Sequence, residues 1–68
     1  MDNEMQKLGQ NLKRVRSKKG ISQGDIARTL KVHKSYISNL ENGKSNPTLK
    51  TIAKLAKAVS VTTDELLR

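Results

Sequence analysis

Five hydrogen-bonding side chains, His33, Lys34, Ser35, Ser38 and Asn39, fall within residues 33–39. Lys34, Ser35, Ser38 and Asn39 recur at about 3.6 residues per turn, so a helix would set them on one face, opposite Ile37 and Leu40. Each can donate or accept at the edge of a base or at a phosphate. Asparagine can make a paired hydrogen bond to adenine, lysine can donate to guanine O6 and N7 or to a phosphate, and serine can reach either base type. Catalysis is a poorer fit. The chain has one histidine and no cysteine. Its carboxylates, Asp2, Glu4, Asp25, Glu41, Asp64 and Glu65, are scattered, and most lie where a helix end explains them. His33 alone cannot make a metal site. The chemistry is that of a binding surface, with no metal, cofactor or small-molecule ligand expected and no enzyme activity.

The elements that must present this surface are short helices. Ser22 can cap the turn that follows it, and Ile26, Ala27 and Leu30 then form one apolar face. Lys31 and Val32 break the pattern and turn the chain. Val32, Tyr36, Ile37 and Leu40 supply a second apolar face, so 22–41 reads as two helices joined by a tight turn. Upstream, Met5, Leu8, Leu12 and Val15 predict a first helix from Met5 to Lys19, closed by Gly20 in the left-handed conformation. The cations Lys13, Arg14, Arg16, Lys18 and Lys19 gather at its C-terminal end, where the helix dipole accounts for part of them. Ile21 re-enters the core. Downstream, the breakers Asn42 to Pro47 form a loop, with Gly43 as a second left-handed cap. Thr48 caps a fourth helix, Leu49 to Val59, whose Leu49, Ile52, Ala53, Leu55, Ala56 and Val59 make a broad apolar face. Thr62 and Glu65 form a capping box that opens a last short helix carrying Leu66 and Leu67. Five helices and no strand make the class all-α, in a single domain spanning 1–68.

Composition narrows the partner. The chain has 68 residues, 14 Lys and Arg against 6 Asp and Glu, a net charge of +8 and a pI near 10.2. That excess favours a polyanion, either nucleic acid or an anionic membrane surface. A membrane-surface segment would show one long amphipathic helix, whereas here the apolar faces are split among five. Tyr36 is the one aromatic, so there is no row of stacking platforms for single-stranded bases. Double-stranded DNA remains. The polar N-terminus and the lack of a long apolar run predict neither signal peptide nor membrane span, and cysteine-free composition fits a reducing cytoplasm.

The stretch SQGDIARTLKVHKSYISNLE, continued by Asn42-Gly43-Lys44 and Asn46-Pro47-Thr48, resembles the helix-turn-helix of the Xre-type family of lambdoid phage repressors, Cro and small bacterial regulators. SQ-x-x-[hydrophobic]-A followed by YIS-x-LENGK-x-NP-T carries the likeness, which spans roughly Leu8 to Leu67. It implies a five-helix lambda-repressor-like DNA-binding domain whose helix-turn-helix is made by helices 2 and 3. It implies a cytoplasmic transcription regulator, by default a repressor, placing helix 3 in the major groove of an operator with two-fold related half-sites. On that basis Lys34, Ser35, Asn39, His33 and Ser38 are assigned to bases, and Gln23, Asn42, Lys44 and Tyr36 to phosphates. Gln23 would also brace the recognition helix. His33 departs from the Ser or Thr common at its position. Arg16 and Glu41 match an ion pair that joins the first and third helices in relatives. A homodimer is expected through about 48–68, with Leu49, Val61, Thr62, Leu66 and Leu67 at the interface. The alternative is an antitoxin or a protein-interaction module on the same fold. The chain reads either as a minimal regulator of the phage, plasmid or restriction–modification type, without a sensing domain, or as a piece of a longer protein.

Overall fold

The computed structural model describes residues 3–68, with side chains from Glu4 onward; Met1 and Asp2, within the expected domain, lie outside the described residues. Five helices follow one another: α1 (Asn3–Lys18), α2 (Gln23–Leu30), α3 (Lys34–Glu41), α4 (Leu49–Ala58) and α5 (Thr63–Leu67). No strand occurs among the described residues. α1 packs on α3 and α5, α2 packs on α3 and α4, and α4 packs on α5. The order round the bundle is therefore α3, α1, α5, α4, α2, which leaves α3 with its outer side uncovered.

The core is where the spacing predicts it. Leu12, Ile37, Leu55, Val59 and Leu66 are fully buried, with Leu8, Ile26, Leu40, Ile52 and Ala56 beside them. The apolar faces are narrower than expected at their edges. Leu49 is 76% exposed and Val32 is 37% exposed, and Ala53 also faces outward. Leu49 and Ala53 lie at the edge of the buried α4 face, and Val32 lies in the turn between α2 and α3. α1 starts two residues before the expected Met5 and ends one before Lys19, and α4 stops one before Val59.

The capping residues behave as their chemistry requires. Ser22 Oγ accepts from the Asp25 N–H at 3.0 Å while Asp25 accepts from the Ser22 N–H at 3.0 Å, a reciprocal box that holds the start of α2. Thr48 Oγ1 accepts from the Thr51 N–H, and Thr62 with Glu65 forms the second box. Gly20 and Gly43 both have φ near +72°. Two further closures have no glycine: Lys31 (φ 60°) and Ser60 (φ 59°) take the same left-handed turn. After each of the four, the next N–H reaches back over the helix end: Ile21 to Arg16 O, Val32 to Ala27 O, Lys44 to Asn39 O and Val61 to Ala56 O, all at 2.8–2.9 Å.

Two polar links fasten the C-terminal part to α1 and to the residue that follows it. Asn11 Nδ2 donates to Leu66 O at 2.8 Å. Lys19 Nζ donates to Val59 O at 2.7 Å and Ser60 O at 3.1 Å, at the carbonyl end of α4 where a cation is favoured. Leu66, expected on a dimer surface, instead fills the monomer core at 0% exposure. The reason is that α5 is one turn long, and its inward position must close the end of the bundle between α1 and α4.

Candidate nucleic-acid interface

α3 is positioned by its buried side. Ile37 and Leu40 enter the core, which rotates Lys34, Ser35 and Asn39 to the exposed side, with Ser38 half-buried at its edge. His33 occupies the N-cap position with extended backbone, but its side chain makes no capping hydrogen bond. An imidazole cannot fold back over the first turn as a short hydroxyl can, so His33 stays exposed beside Lys34.

The orientation of α3 is set at its other end by Glu41, whose side chain is 3% exposed. Arg16 of α1 donates to it through Nε and through Nη2, the latter at 2.9 Å. Gln23, the first residue of α2, donates Nε2 to Glu41 Oε1 at 2.8 Å. One carboxylate thus ties three helices. Arg16 also donates to Ile21 O at 3.3 Å. Its guanidinium is held above its ordinary pKa, chiefly by the hydrogen bond to Glu41, against an opposing effect of burial. The paired geometry, with two N–H groups on one carboxylate, fixes angle as well as distance. Gln23 is thereby a brace, and its second amide N–H remains available to an outside acceptor.

Gly9 was not legible as a positioning residue. It is buried in α1, and a Cβ there would lie 2.4 Å from Leu40 O and 2.7 Å from Glu41 O. The glycine lets the carbonyl end of α3 press directly onto α1. Its one available signal is a residue without a side chain set inside the Leu8–Leu12 stripe.

Beyond α3, Asn42 is exposed at the C-cap and Lys44 is exposed just after the left-handed Gly43. Gln23 and Gly24 begin α2 ahead of the capped Asp25 N–H, so their own N–H groups lie in the first turn, a setting that favours phosphate. Tyr36 is half-buried and packs against the core. The exposed cations and amides of α3 and the following loop make one polar, hydrogen-bonding surface. Among the described residues no group of three or more His, Cys, Asp or Glu is arranged to hold a metal, and no helix is long and apolar enough to cross a membrane.

Of the residues expected at a dimer surface, Leu49, Thr62 and Leu67 are exposed, the two leucines at 76% and 45%. Val61 is half-buried against the core, Thr62 caps α5, and Leu66 is internal. Leu67 also borders a groove with Met5, Leu8, Pro47 and Ile52.

Comparison with known proteins agrees with the all-helical fold. The profile of the HTH_3 helix-turn-helix family matches residues 12–66. The chain is 36% identical over 61 residues to the HTH-type transcriptional regulator DdrOP3 of Deinococcus deserti, a match covering 90% of this chain and 47% of that protein. The chain therefore spans about half the length of that relative. It superposes on the restriction–modification controller protein C.AhdI from Aeromonas hydrophila with a TM-score of 0.87 and 36% identity, covering 94% of this chain and 97% of that one. It also matches the controller protein C.Esp1396I, in the structure of its tetramer with its natural 35 base-pair operator, with a TM-score of 0.78 and 26% identity over 94% and 95% of the two chains. The chain belongs to the HTH_3 helix-turn-helix family.

Proposed function

We propose that this protein is a sequence-specific, double-stranded-DNA-binding transcription regulator that inserts α3 into the major groove as a homodimer. The observation that carries the reading is the pairing of an exposed Lys34–Ser35–Asn39 row with a half-buried Arg16–Glu41–Gln23 clamp behind it. A helix offered to the groove must hold its angle, and the clamp fixes that angle from two neighbouring helices.

Lys34, Ser35 and Asn39 read base edges, with His33 and Ser38 at the margins of the contact. Gln23, Asn42, Lys44 and the Tyr36 hydroxyl take phosphates on either side and set the register. The net charge of +8 supplies the sequence-independent attraction. Dimerisation through 48–68, centred on Leu49 and Leu67, places two α3 helices on half-sites one turn of DNA apart, roughly 34 Å. The operator-bound tetramer of C.Esp1396I supports an assembly of this kind. Repression follows from occupancy of a promoter, which needs no further contact. The protein acts as a binder in the cytoplasm and uses no cofactor.

The test is a binding titration on the protein's own upstream DNA and on a scrambled duplex, each at two salt concentrations. Tight binding to the first alone, weakening steeply with salt, is the expected result. Equal binding to both leaves only phosphate attraction, and no binding at either salt overturns the reading in favour of a protein partner.

A further inference from the structure

Much of the positive charge lies away from α3. At 3.6 residues per turn, Gly9 and Arg16 carry α3 on one side of α1, while Asn11, Arg14, Val15 and Lys18 emerge on the opposite side. There α1 and α5 enclose a groove of about 580 Å³, rimmed by Arg14, Lys18, Lys19 and Arg68 and floored by Val15 and Val61. Its volume is in the range of sites that hold a small ligand or a few side chains of a peptide.

Three features mark this groove as built for a partner. Arg14 is held in place, since its Nη2 donates to Asn11 Oδ1 at 2.9 Å while Asn11 Nδ2 is anchored on Leu66 O at 2.8 Å. The cations lack carboxylates: the ion pairs among the described residues are Arg16–Glu41 and Arg28–Asp25. Glu65, which also borders the groove, is engaged by the Thr62 N–H and hydroxyl in the α5 capping box. The floor, finally, is apolar, with Val15 and Val61 only partly covered by the core beneath them.

Charge and floor together select the occupant. A phosphate backbone would satisfy the rim but offers nothing to cover the two valines, and a duplex engaged by α3 lies on the far side of α1. A protein segment carrying carboxylates around an aliphatic side chain satisfies both. We propose that the α1–α5 groove is a docking site for an acidic, leucine- or isoleucine-anchored segment of a protein partner. On the DNA-binding reading proposed above, the partner can bind while α3 stays on DNA; the dimer contact is then carried by Leu49 and Leu67, and Val61, expected from the sequence at that contact, serves the groove instead. A second lysine-rich hollow, of about 560 Å³, lies between α2 and α4 with Lys31, Lys54 and Lys57 at its rim. It provides an internal control of similar charge.

The test uses the full chain and two fluorescein-labelled peptides of equal length, one repeating Glu-Glu-Leu and one all-glutamate. Titration by fluorescence anisotropy and by amide and methyl NMR is expected to show saturable, tighter binding of the leucine-containing peptide. The largest shifts are expected at Asn11, Val15 and Val61. The pair Arg14→Glu with Lys18→Glu should weaken it about tenfold, and the pair Lys54→Glu with Lys57→Glu, equal in net charge, by less than about twofold. All four sites are exposed, and retained helical circular dichroism confirms that each variant is folded. Equal losses in both pairs, equal affinity for both peptides, shifts centred on α3 or the α2–α4 hollow, or no saturable binding would each overturn the proposal.

Discussion

Gly9 of α1 lies directly beneath the main-chain carbonyl of Leu40 in α3, so close that a Cβ would stand 2.4 Å from the oxygen. Alanine at this position gains helix propensity of roughly 1 kcal/mol over glycine. The clash is with backbone, which no rotamer change relieves, and overpacking of this kind costs about 1–3 kcal/mol or more. Gly9→Ala is expected to be destabilising on balance and to weaken DNA binding further, because relief comes only by moving α3. A thermal melt at or above the parent's would show that the contact is not limiting.

Arg16 and Glu41 can be separated by a double-mutant cycle. Arg16→Ala strands a carboxylate that is 3% exposed, at a cost of about 3–5 kcal/mol. A small domain has little more than that in total, so a fall in Tm of about 12 °C or more is expected. Arg16→Met and Glu41→Leu each leave the other charge unpaired, and the double change, which removes both, should lose less than the sum of the two. Additive losses would mean the two side chains do not act as a pair.

Asn39 and Lys44 should fail in different ways. Asn39→Ala is expected to cost about 1–3 kcal/mol on the preferred operator and to relax the choice of base at one position. Lys44→Ala should weaken all sequences alike and reduce the slope of log K against log salt by about 0.9 per half-site. Measuring both variants on operator and scrambled duplexes at several salt concentrations separates them. A Lys44→Ala slope equal to the parent's removes the phosphate assignment.

The two neighbours Leu66 and Leu67 divide stability from assembly. Leu66→Ala empties a fully buried site and should cost about 2–5 kcal/mol. Leu67→Glu, alone or with Leu49→Glu, should leave the melt of the monomer nearly unchanged while shifting sedimentation from dimer to monomer. Sedimentation unaltered in the double variant would place the dimer contact elsewhere.

Acid should release the start of α2. Asp25 is held below its ordinary 3.8, first by the Ser22 N–H, then by the Ser22 hydroxyl and the nearby Arg28. A carboxylate whose folded pKa is depressed contributes stability that is complete above its unfolded value. That contribution disappears as the pH falls from about 3.8 through the lower folded value. Asp25→Asn is therefore expected to lower stability near neutrality and to flatten its decline below pH 4. Parallel acid-denaturation curves for variant and parent would count against this role.

Local chemistry made much of the architecture legible. Ser22, Thr48 and Thr62 mark helix starts because a hydroxyl before an apolar face satisfies a backbone donor, whatever else surrounds it. Gly20 and Gly43 mark helix ends because the left-handed turn is open to glycine without strain. The helical row of Lys34, Ser35 and Asn39 was equally plain, since the burial of Ile37 and Leu40 dictates which side faces out. Arg16 with Glu41 came from family likeness alone. Their separation in sequence carries no periodic signal, and only packing brings them together.

Tertiary structure decided the rest, for reasons of contact between distant segments. Lys31 and Ser60 turn left-handed although neither residue prefers it, because Val32 and Val61 must swing back over the ends of α2 and α4. Leu66 became core and Leu67 surface because α5 has a single turn to fit against both α1 and α4. Gly9, Asn11 and Lys19 act through main-chain carbonyls far along the chain. A carbonyl belongs to every residue, so its partners leave no trace in composition or spacing. Which helices formed was therefore a local matter, while the angle at which α3 is held was determined by the packing of α1, α2 and α3 around Gly9 and Glu41.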